Sequence, residues 1–289
     1  MRRLTIGLLA ASTLLASCGG QSAAKNEANA NAAAPGAQSQ PAKLSMTRLD
    51  CGSATIKNFD KFFSDKPGLY ENGPRDVTDS CYLIRHGDQL LLWDTGLDPT
   101  LKGKTFDAGD MILRVKQTLV EQLAQIGVKP EDVDIVGISH EHSDHTGQAA
   151  LFPNAELLIG TQDFEDTKGA KDPFGPWRKE GARVHRASAD VDVFGDGSVT
   201  ALHLPGHTPD HMALLVKLES GPVLLSGDTY HSRDAREKRG VPPFNTSREQ
   251  TLKSMDRFEE VAKDTGAKVV IQHEPRDIGL LPAFPQAAH

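Results

Sequence analysis

The chain has 289 residues, a formal net charge of −7, three cysteines and eleven histidines. This composition is typical of a globular protein with one large domain or two small ones, and it excludes a disulfide-dense scaffold. An acidic chain lacks the positive surface that nucleic-acid-binding proteins use, so we expect no nucleic-acid partner. The number of histidines leaves room for a metal site built on imidazole ligands.

The N-terminus has the pattern of a bacterial export signal. Arg2 and Arg3 precede an apolar run over 4–15 that is too short to span a membrane. The next residues, Leu15-Ala16-Ser17-Cys18-Gly19, resemble a lipobox, so residues 1–18 are predicted to be a lipoprotein signal with Cys18 as the lipidated residue. The alternative is a plain secretory signal. We expect a protein anchored in the cell envelope, on the periplasmic side or at the outer membrane, or otherwise a secreted or periplasmic protein.

Residues 19–43 lack Val, Ile, Leu and aromatic side chains, which predicts a disordered tether, and 44–289 form one domain. Within it, apolar runs bounded by turn residues alternate with helical patterns. Strands are predicted at 44–50, 81–85, 89–93, 135–139, 156–159, 199–204, 212–218, 223–226 and 268–272. Helices are predicted at 112–126 and 250–261, the second capped by Thr246 or Ser247. This order predicts an α/β fold with two mixed sheets packed together and helices outside.

Four potential metal ligands follow the predicted strand 135–139. His140 and His142 project to the same side of an extended backbone, and Asp144 and His145 come on the bend after it. Imidazole and carboxylate groups both suit zinc, and four ligands in six residues are enough to serve two adjacent cations. The alternative is a solvated, histidine-rich surface loop.

Three later strands also end in potential ligands. His207 follows the strand 199–204, Asp228 follows 223–226 and His273 follows 268–272. His211 competes with His207 for the ligand role; we favour His207 as the ligand and assign His211 to the surrounding shell. The shared position of these residues, each at the C-terminal end of an apolar strand, predicts one common site.

With Asp94-Thr95-Gly96, these seven residues resemble the metallo-β-lactamase fold hydrolases over essentially all of 44–289. Within that superfamily the chain is similar to the N-acyl-homoserine lactonase family. The stretches that carry this similarity are 49–52, 81–86, 91–97, 227–231, 243–245 and 272–275. The resemblance implies an αβ/βα four-layer sandwich with two metals at one edge.

The resemblance also implies roles. His140, His142 and His207 would hold one zinc, and Asp144, His145 and His273 the other, with Asp228 bridging both. Asp94 would orient a ligand histidine, unless it is an ordinary turn residue. The two cations, zinc or otherwise iron, cobalt or manganese, would activate a bridging hydroxide that opens a lactone ring. Asp144 and Asp228 would be the catalytic carboxylates, with Asp228 passing a proton to the leaving oxygen.

One position departs from the family. Many of these lactonases carry a tyrosine three residues after the bridging aspartate, where it assists the substrate carbonyl. Here Tyr230 follows Asp228 by two residues and His231 occupies the third position. A shift of one residue changes the direction of the side chain in an extended segment. Tyr230 is therefore a candidate catalytic residue, with His231 as a substitute.

Other functions of the same fold remain alternatives. They are hydrolysis of another ester, a thioester or a β-lactam, and a non-catalytic, lipid-anchored binding protein. Glyoxalase II enzymes carry a C-terminal helical domain, which residues 274–289 are too few to supply. The expected partner is a small lactone, with membrane contact only through the lipid anchor and the oligomeric state open. Aromatic residues in loops are candidates for an acyl groove: Phe62, Phe63, Phe174, Trp177 and Phe244.

Cys51 ends one predicted strand and Cys81 begins another. Neighbouring strands would bring the two thiols into bonding range, but they fit equally well as small buried hydrophobic residues. The sequence leaves the disulfide open.

Overall fold

The computed structural model describes residues 43–169 and 171–289. The predicted signal, its Cys18 and all but the last residue of the tether lie outside this part of the chain. The strands are β1 Leu44–Ile56, β2 Arg75–His86, β3 Gln89–Trp93, β4 Thr105–Asp107, β5 Met111–Arg114, β6 Ile135–Gly137, β7 Glu156–Gly160, β8 Val184–Ala187, β9 Val191–Asp192, β10 Val199–His203, β11 Met212–Leu218, β12 Gly221–Leu225 and β13 Lys268–Val270. The helices are α1 Phe59–Phe63, α2 Leu119–Gln125, α3 Ser143–Thr146, α4 Thr161–Asp166, α5 Arg233–Lys238 and α6 Arg248–Thr265. None of these helices is long and apolar enough to cross a membrane.

The strands form two mixed sheets. The larger has the order β4-β5-β1-β2-β3-β6-β7-β8, and the smaller has the order β13-β12-β11-β10-β9. β3, β6, β7 and β8 pair in parallel, as do β12 and β13, whereas the other neighbours are antiparallel. Parallel neighbours bring their C-terminal ends to one edge, which is where the predicted ligands emerge.

Alternation along the strands builds the layers. In β2, Tyr82 and Ile84 lie in the core between the two sheets, whereas Cys81 and Leu83 lie in a core on the opposite face, with Leu119 of α2. A third cluster packs the other face of the smaller sheet against Phe258 of α6. The result is the predicted four-layer sandwich, with helices on both outer faces.

The predicted helix 112–126 is wrong in its first part. Met111–Arg114 is a strand that pairs antiparallel with β1, and the helix begins only after Thr118, which forms a capping box with Glu121. The apolar residues at 112 and 115 match a helical spacing, but the free edge of β1 supplies hydrogen-bond partners that override this local pattern. The predicted helix 250–261 is confirmed within α6, which is capped by Ser247 and ends at Gly266.

Cys51 and Cys81 form a disulfide between the paired strands β1 and β2, with their Cα atoms 5.7 Å apart. Both residues are fully buried. A Cβ atom at Gly96 would lie 2.5 Å from the Cβ of Cys51. The disulfide therefore packs directly beneath the turn after β3, which requires glycine at that position.

Candidate metal centre and adjoining cavity

The seven predicted ligands converge at one edge of the sandwich, and we call them the metal-ligand cluster. His140 and His142 follow β6, and Asp144 and His145 lie in α3, all on the larger sheet. The other three come from the smaller sheet. His207 follows β10, Asp228 lies in a short turn after β12, and His273 follows β13.

Three imidazoles form the first group of donors. The Nε2 atom of His140 lies 2.9 Å from Nδ1 of His142, and Nε2 of His207 lies 3.0 Å from the same Nδ1 and 3.2 Å from Nε2 of His140. Three ring nitrogens at mutual hydrogen-bond distance leave space between them for one shared cation. This is the donor chemistry that zinc and similar divalent ions prefer.

The second group consists of Asp144, His145 and His273. The Nε2 atoms of His145 and His273 are 3.2 Å apart, and Asp144 Oδ2 lies 4.0 Å from His273 Nε2. The two histidines are buried, whereas the side chain of Asp144 is 39% exposed. This group is therefore looser on its carboxylate side than the first.

Asp228 lies between the two groups. Its Oδ2 atom is 3.1 Å from Nε2 of His207, and its Oδ1 atom is 2.9 Å from Nε2 of His273 and 3.3 Å from Nε2 of His145. Each carboxylate oxygen thus faces a different group of donors. That position fits a ligand shared by two cations.

The outer ring nitrogens of four ligands are each held by a polar neighbour. The contacts of the four Nδ1 atoms are 2.8–3.0 Å long: His140 with Oγ of Ser139, His145 with Oδ2 of Asp94, His207 with Oδ1 of Asn245, and His273 with the carbonyl of Thr78. An acceptor on Nδ1 fixes the tautomer that leaves the Nε2 lone pair free for a cation. Together with the carboxylate of Asp228 between the two groups of donors, this arrangement fits two divalent metal ions.

Asp94 holds the second group from behind. One carboxylate oxygen accepts the backbone N–H of Ser139 at 2.7 Å, and the other contacts Nδ1 of His145 at 2.9 Å and accepts from Nε2 of Gln272 at 2.8 Å. Its backbone has φ 59°, an uncommon conformation for a residue with a side chain. Asp94, at the end of β3, thus has an unfavourable backbone conformation in which its carboxylate faces His145.

His211 is not among the converging donors. Its Nδ1 donates to the carbonyl of Leu204 at 3.1 Å, and its Nε2 accepts the backbone N–H of Asp228 at 2.8 Å. Both ring nitrogens are therefore occupied. His211 holds the backbone of Asp228, while His207 presents its free nitrogen to the cluster.

The charges of the cluster depend on one another. Burial disfavours the charged form of His145, but the carboxylates of Asp228 and Asp94 outweigh burial and raise its pKa well above the usual value. Burial also disfavours ionised Asp228, yet the surrounding histidines, His273 foremost, hold its pKa well below the usual value. The ionised form of Asp228 is thus stabilised by positive charge around it, which protons or metal ions supply.

A cavity of about 330 Å³ opens beside the cluster. Asp144, Asp228 and His273 form its polar side. Its main apolar lining, which we call the apolar wall, consists of Ile56, Phe62, Phe63, Leu97, Met111, Leu113 and Phe244. Phe62, Phe63 and Phe244 thus line the cavity as the sequence suggested.

The other two candidate aromatics do not line it. Phe174 and Trp177 are buried in the core beside the larger sheet, where Nε1 of Trp177 donates to the carbonyl of Ala155 at 2.8 Å. The two rings pack against Leu157 and Ile159 of β7 in this core, so they contribute to the stability of the fold and not to the cavity.

The prediction that Tyr230 is a catalytic residue is wrong, because its ring points away from the cavity. It lies in the core beneath α6, 5.5 Å from the ring of Phe258. His231 points the other way: it lines the cavity, and its Nε2 is 3.0 Å from Oδ2 of Asp228. The one-residue shift noted in the sequence decides which of the two reaches the site.

Sequence reasoning missed three groups that shape the site. Asn245 and Gln272 lie in stretches that carry the family resemblance, so a signal was present but no role could be read from it. Asp79 of β2 lines the cavity and is 3% exposed. It lies in the run Thr78-Asp79-Ser80 before Cys81, which carries no recognisable motif.

The sequence profile of the metallo-beta-lactamase superfamily matches residues 75–273, and the chain belongs to that superfamily. Among curated relatives, N-acyl homoserine lactonase AttM of Azorhizobium caulinodans is 36% identical over 176 residues, which are 57% of this chain and 66% of that protein. The AttM protein of Rhizobium johnstonii is 31% identical over 218 residues, 67% of this chain and 81% of the relative.

A solved structure of an N-acyl homoserine lactone hydrolase, with N-hexanoyl-L-homoserine bound at its catalytic metal centre, superposes with a TM-score of 0.71. It is 21% identical and covers 86% of this chain and all of its own. That likeness concerns the fold.

Proposed function

We propose that this protein is a dinuclear zinc hydrolase that opens the lactone ring of N-acyl homoserine lactones. The observation that carries the proposal is the bridging position of Asp228 between two complete groups of donors, beside an apolar cavity. The names of the two curated relatives support the same substrate class.

Different residues of the chain would bind the metal ions and the acyl chain. His140, His142 and His207 would hold one ion, Asp144, His145 and His273 the other, and Asp228 both. Bound cations of this kind lower the pKa of water and polarise a carbonyl. The apolar wall provides the surface on which an acyl chain is removed from water while the ring lies toward the cluster.

His231 and Asp228 lie beside each other at the wall of the cavity. Burial lowers the pKa of His231 to about 4, so its ring is neutral at pH 7 and donates one N–H. The single N–H of that neutral ring faces Oδ2 of Asp228 at 3.0 Å, so we assign His231 the role of positioning this carboxylate. Asp228 would take a proton from the attacking water and transfer it to the alkoxide that leaves the ring.

The proposal is tested by loading the protein with zinc and measuring hydrolysis of homoserine lactones with acyl chains of increasing length. A chromogenic cephalosporin and a thioester serve as competing substrates. We expect lactone opening with close to two metal ions per chain by elemental analysis. Turnover of the cephalosporin or the thioester alone, or full activity with one ion, contradicts the proposal.

The choice of ligand is tested by a matched pair of variants. His207→Ala removes a converging donor and should cost one metal ion per chain. His211→Ala removes the contacts to the backbone of Leu204 and Asp228 but no converging donor, and should leave the metal content close to two. The opposite result would show that the ligand is His211.

We also propose that the protein is anchored in the cell envelope through Cys18, on the strength of the lipobox alone. Labelling with palmitate should mark the wild type, and Cys18→Ser should release it from the membrane fraction. An unlabelled, soluble wild type would leave a plain secretory signal.

A further inference from the structure

We propose that the carboxyl group of Asp79 binds the substrate's amide, by accepting a hydrogen bond from the N–H next to the lactone ring. The inference rests on the proposed function and names the group that distinguishes acylated homoserine lactones from simple lactones.

Asp79 is held at a fixed place relative to the cluster. The neighbouring Thr78 exchanges two hydrogen bonds with His273: its N–H donates to the carbonyl of His273 at 3.2 Å, and its carbonyl contacts Nδ1 of that ring at 2.8 Å. Residues alternate across a strand, so Asp79 faces the cavity together with Val77. Asp79 therefore lies in the cavity lining next to the cluster.

The carboxyl group of Asp79 is buried and unsatisfied. The residue is 3% exposed, and neither carboxyl oxygen has a hydrogen-bond partner among residues 43–169 and 171–289. Two other buried aspartates are satisfied: Asp60 accepts from the backbone N–H groups of Gly68 and Tyr70, and Asp163 accepts from the hydroxyl of Thr208. A buried polar group without a partner is costly, and such groups are found where a ligand completes them.

The polarity of Asp79 contrasts with the apolar wall near it. Burial raises its pKa to about 8, while the positive charge of His145 and His273 opposes this shift. A carboxyl group keeps an acceptor oxygen in both protonation states, so the contact does not depend on its titration. In N-acyl homoserine lactones the amide nitrogen is attached to the carbon next to the ring carbonyl. An acceptor beside the cluster is therefore in the right place for that N–H.

The test uses two substrates and three variants of the full protein. The substrates are N-hexanoyl homoserine lactone and its carba analogue, in which CH2 replaces the amide N–H. Asp79→Leu removes the acceptor and keeps the branched shape of the side chain, Asp79→Asn keeps an acceptor oxygen, and Val77→Ala alters the adjacent wall without changing polarity. The measurements are kcat/KM for each substrate and metal content for each protein.

We expect the wild type to prefer the amide by about 10- to 100-fold in kcat/KM, because a site built to bind an N–H discriminates against the analogue that lacks it. Asp79→Leu should abolish that preference by slowing only the amide substrate. Asp79→Asn should lose only part of it, and Val77→Ala should change both substrates by the same factor.

Three results overturn the inference: no preference in the wild type, an equal loss on both substrates in Asp79→Leu, or loss of metal in that variant. The last would make Asp79 a support of the metal centre. Failure of the proposed function is distinguishable, because the wild type would then open neither lactone.

Discussion

The two sides of the cavity differ in how their side chains are held. In the metal-ligand cluster, buried imidazoles are fixed by hydrogen bonds of 2.8–3.0 Å to neighbours such as Asp94 and Asn245. In the apolar wall, Phe62 and Phe244 are held only by packing, with ring centroids 5.3 Å apart, and Phe244 is 42% exposed. Directional bonds fix positions closely, whereas packed rings at a surface have room to adjust.

The difference indicates a division of function. The chemistry of the site depends on atoms whose positions are fixed by several bonds each, so single changes there should be severe. Substrate breadth depends on the apolar wall, where a change removes contact area only. The following predictions test this division, from the largest expected effect to the smallest.

Asp228→Asn should lower lactone turnover by roughly 10³-fold or more, because it neutralises the one group that faces both sets of donors. The rate is measured with N-hexanoyl homoserine lactone, and metal content by elemental analysis. Asp196→Asn is the control, since that carboxylate lies near the surface beside His86 and should leave the rate unchanged. A reduction of less than tenfold in Asp228→Asn would contradict a bridging role.

Replacing Cys51 and Cys81 with alanine should lower the free energy of unfolding by about 2–4 kcal/mol, because the disulfide closes a loop over a sequence separation of 30. Denaturant unfolding of the double variant measures this effect. Turnover should fall much less than in Asp228→Asn, since the bond lies beneath the turn and not in the cluster. Two reactive thiols per chain beyond Cys18, in unreduced wild-type protein, would refute the bond itself.

Asp94→Ala should weaken metal binding by about 10- to 100-fold, because it removes the acceptor that orients His145 and the partner of Gln272. Titration with a competing chelator measures the loss. Asp94→Asn keeps an oxygen that can accept the N–H of His145, so it should recover part of the affinity. If both variants bound metal as tightly as the wild type, Asp94 would serve only as a turn residue and would have no role in metal binding.

Phe244→Ala should raise KM about 3- to 10-fold for long acyl chains, with kcat and metal content little changed, because it removes contact area from the apolar wall. Short acyl chains should be affected less. Phe106→Ala is the matched control: this ring is 50% exposed and does not line the cavity. A large fall in kcat in Phe244→Ala would mean that the wall also positions the reacting atoms.

Much of the site was predictable because its ligands follow a local rule. Each of His207, Asp228 and His273 comes within four residues of the end of an apolar strand, and parallel strands bring such ends together. Asp94 was also readable from its place in the family's Asp-Thr-Gly turn. Its contacts to Ser139 and Gln272 were not, since they join segments far apart in sequence.

The errors share one physical cause, which is tertiary context overriding a local pattern. The helical spacing of residues 112–115 yields to pairing with β1. Phe174 and Trp177 have the composition of cavity residues but fill the core behind β7. Asp79 carries no motif and becomes notable only through its burial next to His273, which depends on how two distant segments meet.

The metal-ligand cluster draws four of its members from the larger sheet and three from the smaller one. Bound ions would therefore fasten the two halves of the sandwich to each other, in addition to any chemistry they perform. Ions that bind the native state but not the unfolded chain add their binding free energy to that of folding, about 4.1 kcal/mol when free metal exceeds its dissociation constant 1,000-fold. The thermal stability of the whole domain should therefore rise and fall with the supply of metal ions.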